Sequence, residues 1–99
     1  MSIEQRIYDG DRAREVLDNE AFIAVFNDIE QEVLNAWKFS PQRDAEGRER
    51  LFLALTMLGK IKGALTSRLE TGMLARLDLE HKRSISERLR ESVSGIFSE

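Results

Sequence analysis

The chain has 99 residues, 15 basic against 18 acidic side chains, no cysteine, one histidine, one proline and one tryptophan. Its 41% apolar and 33% charged content is too hydrophobic for a disordered polyampholyte and too charged for a membrane span. Disulfides, thiolate nucleophiles and cysteine-built zinc sites are excluded, and the absence of cysteine agrees with a reducing compartment. A compact fold of 11.4 kDa would expose roughly 5,800 Å² of an unfolded surface of about 16,500 Å², enough for one modest core.

The N-terminal residues Met1 to Arg6 lack the apolar stretch of a secretion signal, and no apolar run approaches the ~18 residues of a transmembrane helix. Asp9-Gly10-Asp11 then precedes Arg12 to Leu17, which predicts one or two helical turns placing Ala13, Val16 and Leu17 on the rest of the fold. Next, Phe22, Val25/Phe26, Ile29, Val33 and Ala36/Trp37 recur at three- and four-residue steps, predicting an amphipathic helix from about Asn19 to Phe39. Asp18 or Asn19 can cap it, and Glu20 suits its first turn.

Pro41 and its neighbours form the clearest break. Beyond it Asp44 can cap a longer helix with Leu51, Leu55, Leu58, Ile61, Leu65 and Leu69 in near-heptad rhythm, ending near Thr71-Gly72 with the glycine as a left-handed cap. After Met73 to Leu79, the stripe Ile85, Leu89, Val93 and Ile96 predicts a separate C-terminal helix over about 79–94. The expected architecture is a single all-α domain over 1–99. It consists of an antiparallel helical hairpin (about 19–71) flanked by a short N-terminal and a C-terminal helix.

No constellation of catalytic groups emerges. His81 is the only imidazole, and its neighbour Glu80 points elsewhere on a helix, so it reads as a surface residue. One histidine cannot supply a helical di-metal site, Asp28/Glu32 and Glu46/Glu49 are pairs that solvated helix faces carry routinely, and Gly59/Gly63 lack the context of a phosphate loop. No enzyme activity, cofactor or metal is expected. The basic run His81-Lys82-Arg83 with Arg88 and Arg90 is interrupted by Glu80, Glu87 and Glu91, which argues against nucleic acid as a partner.

The informative residues concern protein contacts. Gly59 and Gly63 each cost about 1 kcal/mol inside a helix, so they suggest close approach of another helix. The short N-terminal helix, the last helix of the same chain or a second subunit could be that neighbour. Phe52, Leu53 and Met57 fall outside the seam facing the first helix and need a cover, either the last helix or another chain. Phe52, Leu53, Met57, Gly59 and Gly63 therefore form the candidate surface of a homo-oligomer. Net charge runs −5, +2 and 0 over residues 1–40, 41–72 and 73–99. Two uses of this asymmetry are open: internal pairing within the hairpin, or an acidic face of Asp28, Glu30 and Glu32 offered to a basic protein.

The arrangement Arg12-Ala13…Val16-Leu17, Phe22…Phe26…Ile29-Glu30…Trp37, Arg43 to Phe52 and Leu69 to Leu74 resembles a family of small helical proteins encoded by tailed bacteriophages and prophages. It covers roughly residues 12 to 76. The resemblance implies a viral or prophage origin near head-assembly genes and a place in the cytoplasm of a bacterial host or with the virion. It implies no catalytic motif and assigns no residue a role.

Overall fold

The structure, a computed structural model, describes the backbone of residues 1–97 and side chains through residue 95. The regular elements over that range are all helices: α1 (Ile3–Leu17), α2 (Glu20–Lys38) and α3 (Ala45–Phe97). Each start has a side-chain cap. Ser2 Oγ accepts from Gln5 N at 3.0 Å, Asn19 Oδ1 from Phe22 N at 2.9 Å, and Asp44 Oδ1 from Gly47 N at 3.0 Å. These bonds satisfy amides that have no partner within the helix.

The second helix falls where its periodicity places it, and two other segments depart from expectation. The N-terminal helix is fifteen residues long and runs straight through Asp9-Gly10-Asp11, because Ser2 caps it about two and a half turns earlier. Its inner stripe is Ile3, Ile7, Gly10, Ala13 and Leu17, all buried or half-buried. The long helix does not end at Thr71-Gly72, and no separate C-terminal helix exists over 79–94. One helix of 53 residues spans both. A glycine cap needs positive φ, and none of the described glycines has it. Gly72 instead continues a second stripe of Leu65, Leu69, Gly72, Ala75 and Leu79, also buried or half-buried.

These two stripes meet backbone to backbone. A Cβ on Gly10 would lie 2.8 Å from Gly72 Cα and 3.0 Å from the Arg68 carbonyl oxygen, and one on Gly72 would meet Gly10 Cα and the Arg6 carbonyl oxygen at the same distances. Glycine is required at both positions because no side chain fits between the helices. Nearby, Arg76 Nη2 donates to both carboxylate oxygens of Asp11 at 3.0 and 3.1 Å. Ala13 and Ala75, two of the few buried apolar residues, lie on the same two helices.

The contact of α2 with α3 is looser. Phe26 is buried, its ring 5.6 Å from that of Phe22 and covered by the Lys62 ammonium at 5.5 Å. At the turn, the Arg48 guanidinium lies 4.8 Å over the Trp37 ring and donates to Ser40 Oγ at 2.8 Å and to the Trp37 and Ser40 carbonyls. Arg48 thus closes the free carbonyl end of α2, a role for which a planar cation with several donors is suited.

The molecule is a rod, 86 × 25 × 18 Å with a radius of gyration of 23.1 Å. About 80 Å of that length is α3 alone at 1.5 Å per residue. A compact chain of this size would have a radius near 13 Å.

Candidate functional site

Helix packing leaves the outer side of α3 uncovered. Both α1 and α2 sit on the side carrying Leu51, Leu55, Leu58, Leu65 and Leu69, all half-buried. Phe52, Leu53 and Met57 remain 60, 54 and 55% exposed. Gly59 and Gly63 face open space, with no atom within 4 Å of an added Cβ. Neither α1 nor the C-terminal part of the chain fills that notch: α1 uses Gly72, and the last segment is the same straight helix carried onward. Of the two covers open to Phe52, Leu53 and Met57, the last helix of the same chain does not supply one, because that segment continues α3.

The five residues do not share one face. At about 100° per residue, Gly59 and Gly63 each lie within about 20° of Phe52, while Leu53 and Met57 lie about 100–140° further round. From residue 81 to 95 every described side chain is exposed, so Ile85, Leu89 and Val93, at 44, 62 and 51%, form a bare stripe. Ile96, expected on the same stripe, lies outside the residues whose side chains are described. Met73, Leu74 and Leu77 add further exposed apolar surface midway along the rod.

The acidic candidates are also divided. Asp28 and Glu32 are one turn apart and exposed, whereas Glu30 points toward the α3 side and is half-buried. Among the described residues the ion pairs are Arg12–Glu15, Asp11–Arg76 and Asp78–Lys82, so the charge asymmetry between α2 and α3 is not used in a direct pair. Cation–π contacts from Arg48 and Lys62 take that place. His81 is exposed.

Two of the concavities among the described residues lie where helices meet. One, of about 280 Å³, lies beside the α1–α3 crossing between Asp11, Arg14, Arg76 and Glu80. The other, of about 470 Å³, is an open apolar groove between Val25, Phe26 and Ile29 of α2 and Leu58 and Ile61 of α3. Neither holds a nucleophile beside a base. No group of three or more metal-ligating side chains converges among the described residues, and no described helix is long and apolar enough to cross a membrane. Comparison with known proteins finds no matching family model, curated protein or solved structure.

The α1–α3 crossing was missed by periodicity alone, although two signals mark it. Ser2-Ile3-Glu4-Gln5 has the spacing of a capping box. Small residues, Gly10 and Ala13 against Gly72 and Ala75, stand where a hydrophobic stripe would otherwise hold large ones.

Proposed function

We propose that this chain is a non-enzymatic protein that works through helix–helix contacts and associates with copies of itself. The observation that carries the reading is surface area. The chain exposes 8135 Å², against roughly 5,800 Å² for a compact protein of its mass. The excess of about 2,300 Å² is on the scale that each subunit of an obligate homodimer buries. Its apolar part is concentrated on one long, rigid element, where large exposed patches usually mark interaction sites.

The contacts support an antiparallel hairpin of α2 with the first half of α3. Trp37 meets Arg48 beside the turn, and Phe26, eleven residues back along α2, meets Lys62, fourteen residues forward along α3. With the resemblance of residues 12 to 76 to small helical proteins of tailed phages and prophages, this reading makes the chain an accessory of particle assembly or DNA packaging, in the host cytoplasm or with the virion. The exposure of Asp28 and Glu32, free of the ion pairs described, favours a second reading in which α2 presses a basic host or phage protein.

Light scattering coupled to size exclusion over a tenfold concentration range tests the first reading. A defined oligomer is expected. An 11.4 kDa monomer throughout would overturn it and leave the acidic-face adaptor, whose test is loss of partner capture in Asp28→Lys/Glu32→Lys.

A further inference from the structure

We infer that two copies pair along the outer face of α3, antiparallel, about a two-fold axis at Leu74, with Ile85 and Leu89 of each seated in the notches at Gly63 and Gly59 of the other. The inference rests on the self-association proposed above and assigns its surface and register.

The spacing carries it. Gly63 lies eleven residues before Leu74 and Ile85 eleven after; Gly59 lies fifteen before and Leu89 fifteen after. Eleven residues complete about three turns of a straight α-helix with a drift of only about 20°. All five positions therefore fall within about 60° of Leu74, on the side of α3 turned away from half-buried Leu58, Leu65 and Leu69. Both glycines face open space, while Leu74, Ile85 and Leu89 are 68, 44 and 62% exposed. The pattern pairs small residues with large ones by reflection through one residue.

A two-fold interface demands that relation, because residue i of one subunit meets residue j of the other and j meets i. An unrelated partner would place no such constraint on two halves of the same helix. Since notch and knob lie on one rigid helix, the rotation that seats one end seats the other, and the pair closes without leaving a free site. The uncovered area of each chain is also sufficient for a stable dimer.

The register brings Lys60 opposite Arg88 and Glu70 opposite Asp78, all exposed and of like sign. Salt screens exposed charges, so this dimer tightens as salt is raised. Pairing driven by the acidic face of α2 would weaken instead.

The test exchanges sizes across the seam. Gly59→Leu/Gly63→Leu fills the notches and should weaken association by roughly tenfold or more, since each new side chain meets an Ile or Leu. Far-UV circular dichroism checks that the helix is retained, as open space at both positions predicts. Ile85→Ala/Leu89→Ala should also weaken association, and combining all four substitutions should restore it. In this cysteine-free chain, Leu74→Cys should cross-link to a dimer on mild oxidation, whereas Val25→Cys on α2 should not.

If the wild-type chain associates but filled notches leave its affinity unchanged, or Leu74→Cys stays monomeric, this register is overturned while self-association stands. A wild-type monomer at every concentration overturns both.

Discussion

Two pairs of glycines in one helical rod meet opposite surroundings. Gly10 and Gly72 lie so close that a Cβ on one would meet the Cα of the other at 2.8 Å, and α1 is docked there by its whole inner stripe. Gly59 and Gly63, four residues apart on the same helix, touch nothing. Both pairs forgo the helix preference of alanine, about 1 kcal/mol per position. Only the first recovers that cost within the chain, through contact of two backbones and burial of Ala13 and Ala75. Identical residue types thus serve a contact already made and one that awaits a second molecule.

The contrast sets the order of expected effects. Gly72→Ala should destabilise the docking of α1 by about 1–3 kcal/mol, because a methyl group must be driven between two backbones. Denaturant unfolding read by circular dichroism would measure it, and Gly10→Ala should match it. Arg48→Ala removes the donor that closes α2 and the cation over Trp37. We expect a loss of about 1–2 kcal/mol, read by the same unfolding and by tryptophan emission. Asp44→Ala deletes the cap on α3 and should cost about 1 kcal/mol. Gly59→Ala and Gly63→Ala should each stabilise the helix, by about 0.5–1 kcal/mol, since nothing obstructs the added methyl. Opposite signs for Gly72→Ala and Gly59→Ala would sharpen the contrast, and equal signs would break it. At the small end, Asp11→Asn should shift stability by less than about 1 kcal/mol, because both partners of its ion pair are about half exposed.

How far the fold can be read from the residues follows from the same contrast. The second helix is legible because its apolar stripe is long and its Asn19 cap immediately precedes it. The break at Pro41 and the cap at Asp44 are local chemistry and fall where expected. Gly72 misleads because glycine after a leucine stripe signals a helix end and a close helix contact equally well. The choice depends on Gly10, sixty-two residues away, which local pattern cannot supply. Periodicity also underestimates α1, whose stripe is built of small residues where it crosses α3.

At the candidate surface, the exposure of Phe52, Leu53 and Met57 is legible as apolar positions left over from the seam, whereas their division between two faces follows from helix geometry at about 100° per residue. The acidic trio fails as a single face for the elementary reason that residues two apart on a helix point in nearly opposite directions. Leu74 lies in the stretch read as a connection between helices, so the symmetry around it becomes visible only once α3 is continuous.

Hydrogen–deuterium exchange of the full chain, measured from dilute to concentrated solution, tests the central claim most directly. Amides around Gly10 and Gly72 should be protected at every concentration. Those from residue 81 to 95 should exchange fast when dilute and become protected together with those around Gly59 and Gly63 as concentration rises. A C-terminal segment that exchanges equally fast at all concentrations would contradict the account.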